Sequence, residues 1–202
     1  MNVVLYGDSN TYGYDPLNGR YENRYSNILK RYFNNKLNIF EEGLIGRTTI
    51  YDDYRPNRKS IDDIYETIFK YNKIDLFIIM LGTNDLKINN ANNIDELKKG
   101  MNILLNKIIK ANNINKILLI SPILLAKNIE NLDQEFNYNS YLLSKKLSTI
   151  YKELALKNNL LFFDAKLIAK PGIDGEHINE EGHLALGNNL AKIIENILFN
   201  EV

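Results

Sequence analysis

Four short stretches of the chain carry side chains able to do chemistry: "GDSNTYG" (7–13), "GLIGRTT" (43–49), "GTND" (82–85) and "IDGEHINEEGH" (173–183). A serine hydroxyl such as that of Ser9 attacks a carbonyl only when a neighbouring base takes its proton. The chain has two histidines, His177 and His183, so any imidazole base is one of these. Asp174 lies three residues before His177. On a helical turn that spacing brings the two side chains together, and a carboxylate there holds an imidazole in the tautomer that a base needs. Asn84 follows the most hydrophobic run of the chain, and its amide can donate a hydrogen bond without carrying charge. Gly43 and Gly46 serve turn geometry or let a backbone N–H approach a ligand. Each residue also has a plainer reading. Ser9 suits a helix N-cap and Asn84 an Asx turn. Asp174 and His177 are ordinary in a solvated loop, Asp85 suits a loop fastener, and His183 suits surface or packing duty in the last helix. Taken together, the four stretches supply a nucleophile, a base, an orienting acid and donors for negative charge, which is what acyl transfer requires.

These stretches need elements to position them. Strand-like apolar runs occur at 2–6, 37–42, 75–81, 116–121 and 160–164. Their apolar character is continuous rather than alternating, which suits a parallel sheet covered on both faces. Helical periodicity fills 23–35, 59–72, 93–112, 134–158 and 181–198. Ser60 with Asp63 resembles a capping pair, and Asn93 is placed to cap "IDELKKGMNILL". The alternation predicts a three-layer α/β/α sandwich with a five-stranded parallel sheet and right-handed crossovers. In such sheets ligands bind beyond the carboxyl ends of the strands, and the four stretches fall there. The connections at 43–58 and 122–133 exceed the usual length, a mark of functional loops.

Composition narrows the classes. At 202 residues the chain is expected to form one domain, 1–202, with a core of its own. The 25 basic and 25 acidic residues balance to a formal charge of +0, so no nucleic-acid footprint is expected. Zero cysteines exclude disulfides, thiolate metal sites and a cysteine nucleophile, and two histidines leave little for a zinc site. There is no basic leader before the first apolar run and no run near the ~20 residues that span a bilayer. A soluble cytoplasmic protein is expected, with no membrane partner and a homo-oligomer left open. The first loop lacks both G-x-G-x-x-G and G-x-x-x-x-G-K-[ST], which argues against a nucleotide or phosphoryl-transfer protein using Asp8, Asp85 and Asp174 around magnesium.

"GDSNTYG", the glycine of "GLIG", "GTND" and "DGEH" resemble, in order, the four blocks of the SGNH, or GDSL-type, serine esterases. "EEGLIGRTT", "IIMLGTND" and "FFDA" look most like the aryl-esterase and acyltransferase branch of that family. The resemblance implies a flavodoxin-like SGNH hydrolase fold and hydrolysis or transfer of small acyl groups, acetyl above all, without metal or organic cofactor. Carried over by position, it implies Ser9 as nucleophile, His177 as base and Asp174 as its orienter. It also implies an oxyanion hole from the Ser9 and Gly46 N–H groups and the Asn84 side chain. The fourth residue of the first block is Asn10, where the family name has leucine. Asn10, Tyr12 and Arg47 are the candidate substrate contacts, with Tyr14, Tyr51 and Tyr54 as further pocket walls; for Arg47 a salt bridge within its loop is the alternative. The same machinery would serve a thioesterase, and a non-catalytic acyl-sugar binding module is the rival outside enzymes.

Overall fold

The computed structural model describes residues 1–200. In chain order the elements are β1 (Asn2–Gly7), α1 (Ser9–Tyr12), β2 (Tyr14–Asp15), β3 (Gly19–Arg20), α2 (Tyr25–Phe33), β4 (Asn38–Gly43) and α3 (Ser60–Phe69). They continue with β5 (Ile74–Met80), α4 (Ile94–Ile109), β6 (Ile114–Ser121), α5 (Tyr138–Lys157), β7 (Leu161–Asp164) and α6 (Glu180–Phe199). Five strands form one parallel sheet in the order β4-β1-β5-β6-β7, and β2 with β3 makes a small antiparallel hairpin. The sheet order is that of flavodoxin-like folds, whose switch point lies between β1 and β5.

Successive strand residues point to opposite faces, and the apolar runs use both. Val3, Leu5, Leu76 and Ile78 pack with Leu29 of α2 and with Leu186 and Leu190 of α6. Val4, Tyr6, Phe77 and Ile79 pack with Ile64 of α3, Leu104 of α4 and Leu147 of α5. All seven residues of β5 are buried; full burial of each large apolar side chain stabilises by about 1.5–3 kcal/mol. This central strand therefore fixes the level of the others. Gly7 pairs with both Gly43 and Met80, and Met80 with Ile120, so the loops after β1, β4, β5 and β6 leave the sheet at one height.

Local details differ from the sequence expectation at the helix starts. Asn93 does cap α4, accepting from the Glu96 N–H at 3.0 Å. Ser60 does not cap α3: it is a buried first-turn residue, and the cap position is Lys59, which makes no side-chain bond. The backbone replaces the cap, because the Ser60 and Ile61 N–H groups donate to the carbonyls of Thr48 and Thr49, each at 3.0 Å. Among the described residues no helix is long and apolar enough to cross a membrane.

Candidate active site

Beyond β1 the chain turns at once into the single turn of α1. Asp8, not Ser9, is its N-cap, its carboxylate accepting the Asn10 N–H at 2.9 Å. Ser9 is the first helical residue, so its hydroxyl is spared capping duty and its N–H lies in the first turn, where amides have no intrahelical acceptor. The end of β4 presses on this turn so closely that a Cβ at Gly43 would lie 2.3 Å from the Tyr12 nitrogen.

The last loop meets the first across the sheet edge. His177 Nε2 is 2.8 Å from Ser9 Oγ, and its Nδ1 is 2.7 Å from Asp174 Oδ2. The other carboxylate oxygen of Asp174 accepts the N–H groups of Glu176 (3.2 Å) and His177 (3.1 Å), which fixes the acid below the ring. A carboxylate at Nδ1 demands a proton there and leaves Nε2 free to accept from the serine. Burial favours neutral His177, yet the Asp174 hydrogen bond and the charges of Glu176, Asp174 and Asp8 outweigh it and raise the imidazole above 6.5. Burial also opposes charge on Asp174, but the His177 hydrogen bond and charge win and lower its carboxyl. The Tyr14 ring covers the imidazole, 4.5 Å between centroids.

Ser9, Gly46, Asn84, Asp174 and His177 line one cleft of about 350 Å³. Gly46 sits at φ +79°, a left-handed backbone that glycine adopts without strain. The Asn84 side-chain amide donates one hydrogen to the Arg47 carbonyl at 3.1 Å, and the Asn84 backbone carbonyl accepts from the Asn90 side chain at 2.8 Å, so side chain and backbone are each tied down. Ile45 and Pro16 add apolar surface to the wall, and one side of it is charged. Lys87 bridges Asp53 (2.8 Å) and Glu135 (2.9 Å), and Arg55 grips Asp53 at 2.6 Å. Tyr54, Asp133 and Glu176 complete that side.

The candidate substrate contacts fall outside this lining. Asn10 is 2% exposed and ties the first and last loops together, accepting the Ile178 N–H at 2.7 Å and donating to the Glu176 carbonyl at 3.3 Å. Tyr12 lies under the Arg20 guanidinium, 4.1 Å from its carbon. Arg47 points inward: it donates to the carbonyls of Gly7 (2.9 Å) and Glu42, pairs with Asp63 at 3.4 Å and covers the Tyr6 ring. Its guanidinium satisfies the ends of β1 and β4 instead of reading a substrate. Tyr14 and Tyr54 do line the cleft, whereas Tyr51 donates to the Glu96 carbonyl at 3.0 Å. Asp85 fastens a loop, accepting the Thr49 N–H at 2.9 Å, and burial pushes its carboxyl up to about 7. His183 is a fully buried packing residue beside Tyr21 and Tyr25. Sequence reasoning missed Ile45, Arg55, Lys87, Asp133 and Glu135 as cleft residues; three of these come from the two loops whose length had marked them.

The model of the GDSL-like Lipase/Acylhydrolase family matches residues 5–185. A carbohydrate acetylesterase family member from Sinorhizobium meliloti is 28% identical over 98% of this chain and 99% of its own, with a TM-score of 0.88. The native aryl esterase of M. smegmatis is 26% identical over 98% and 100%, with a TM-score of 0.87. A putative arylesterase from Agrobacterium tumefaciens str. C58 is 28% identical over the same shares, with a TM-score of 0.83. No curated protein matches the sequence. With four loop motifs in family order, a sheet of the family's topology and a family match over most of its length, the chain belongs to the GDSL-like lipase/acylhydrolase family and is a carboxylic ester hydrolase of the SGNH fold.

Proposed function

We propose that this esterase works through an acyl-enzyme on Ser9, with His177 as base and Asp174 as its orienter. The observation that carries the reading is the unbroken chain from Ser9 Oγ through the imidazole to Asp174, at 2.8 and 2.7 Å. As the hydroxyl attacks an ester carbonyl, Nε2 takes its proton, and the imidazolium formed is stabilised by Asp174. The developing oxyanion is held by the Ser9 and Gly46 N–H groups and by the second hydrogen of the Asn84 amide. His177 then returns the proton to the leaving alcohol. Water, or another alcohol, resolves the acyl-enzyme by the same steps in reverse.

We infer small acyl groups on a polar alcohol as the substrate class. The cleft of about 350 Å³ must hold both halves of the ester. Burying a long alkyl chain against Lys87, Arg55, Asp133 and Glu135 would cost those groups their hydration. The solved relatives named for acetylated carbohydrates and aryl esters support the same range. The test is hydrolysis of p-nitrophenyl esters of increasing chain length by wild type and Ser9→Ala. The reading expects acetate to be the best substrate and Ser9→Ala to be inactive; undiminished turnover by Ser9→Ala, or a preference for long chains, would overturn it.

A further inference from the structure

Glu176 stands inside the catalytic loop, between Asp174 and the base. Its N–H donates to Asp174 Oδ1 and its carbonyl accepts from the Asn10 amide, so its backbone is held on two sides. Its side chain lines the cleft and is 14% exposed, with Oε1 3.5 Å from His177 Nδ1. That nitrogen is the one Asp174 Oδ2 engages at 2.7 Å. Two carboxyl groups therefore face a single ring nitrogen. The Nδ1 hydrogen serves Asp174, and at 3.5 Å Glu176 acts on the ring through charge.

We propose that Glu176 is a positioning residue whose own ionisation sets the proton affinity of the catalytic imidazole, adding a second negative charge beside Nδ1 when it is deprotonated. The inference deepens the esterase reading and rests on His177 being the base.

The groups facing Glu176 decide when it ionises. On its own loop these are Asp174 and His177. Asp133 faces it from the segment before α5, and Lys87 from the turn after β5. The Lys87 ammonium is shared between Asp53 and Glu135, and across the cleft Arg55 is held by Asp53. Burial disfavours the Glu176 charge most; the Asp133 and Asp174 charges add to this, while His177 and Lys87 oppose it. The net effect pushes its carboxyl up to about 7. Glu176 thus changes charge in the neutral range. Below that range it is neutral and Asp174 alone steadies the imidazolium; above it, the second charge strengthens the base. The two groups titrate as a coupled pair.

Proton NMR of the imidazole Cε1–H tests this without any substrate. The chain has two histidines, and His183 is held neutral down to about 3, so the resonance that moves around neutrality is that of His177. In Glu176→Gln the His177 midpoint should fall by about one pH unit, the size expected for losing one nearby opposite charge. In wild type the Glu176 carboxyl carbon should itself titrate near neutrality, a reading that needs no variant. Equal His177 midpoints in wild type and Glu176→Gln, or a Glu176 carboxyl titrating near its ordinary 4.5, would overturn the proposal. The acid limb of kcat/KM should shift downward with the NMR midpoint. If wild type fails to cleave esters while the NMR shift persists, the esterase reading falls and the coupling stands.

Discussion

Ser9 Oγ and His177 Nε2 lie within hydrogen-bond distance, at 2.8 Å, the separation that the proposed proton transfer needs. Two predictions belong to single residues. Asn84→Ala removes one of the proposed oxyanion donors and should lower kcat by about 10²–10³ with little change in KM; steady-state kinetics on a short p-nitrophenyl ester, beside a urea melt to confirm folding, measures this. His177, the proposed base, would work only when neutral, and its proton affinity is raised above the ordinary 6.5. Activity should therefore fall as pH drops through a midpoint above 6.5, and a midpoint below that value would remove the charges of Asp174 and Glu176 from the account. Residue types point to the proposed chemistry because a triad needs a serine, a histidine and an acid whatever the fold. They did not tell direction. Arg47 is an arginine beside a cleft glycine, yet its carbonyl and ring partners turn it into the protein, and only a three-dimensional path of β1 and β4 could supply those partners.

At the scale of elements, the strands were legible from their apolar runs, which are buried on both faces in β1, β5 and the second half of β6, and β5 is the extreme case. The helix periods were legible too, with ends that differ by up to a few residues: 59–72 becomes Ser60–Phe69, 23–35 becomes Tyr25–Phe33, and 181–198 widens to Glu180–Phe199. The hairpin of β2 and β3 was not legible, since two-residue strands leave no period to detect. Nor was the true start of α3, where distant carbonyls do the work of a cap. The joint between the first and last loops yields a prediction of its own. Asn10→Ala leaves the Ile178 N–H unsatisfied in a buried setting, which should cost about 1–3 kcal/mol. Urea unfolding measures that loss, and kcat should fall more than KM rises because the histidine loop loses its tie to the serine turn. At the neighbouring contact, Gly43→Ala places a Cβ against the backbone of α1. It should displace Ser9 and reduce esterase turnover more than it lowers the unfolding midpoint, and equal effects on both would contradict a local displacement.

For the molecule as a whole, the sheet gathers loops that are 168 residues apart in sequence at Ser9 and His177, and its stability must survive the pH at which the base works. His183 bears on this. Buried between α2 and α6 with Nδ1 accepting the Tyr25 N–H, it has its proton affinity depressed by burial, then by the charges of Arg24 and His177, to about 3. A histidine depressed in the folded state binds its proton more readily when unfolded. Its contribution is therefore intact above the unfolded value of 6.5 and is lost progressively as pH falls toward 3. His183→Gln, which stays neutral throughout, should flatten the dependence of the urea midpoint on pH between about 6.5 and 4; an unchanged slope would mean that other groups govern acid unfolding. The central claim remains the covalent step at the meeting of the two loops. Mass spectrometry of the protein quenched in acid during turnover of an acetyl ester tests it most directly. The account predicts a single acetyl group on the peptide containing Ser9, absent from Ser9→Ala and slow to form in His177→Ala. Turnover with no acylated Ser9 peptide at any time, or the acetyl group on another residue, would contradict it.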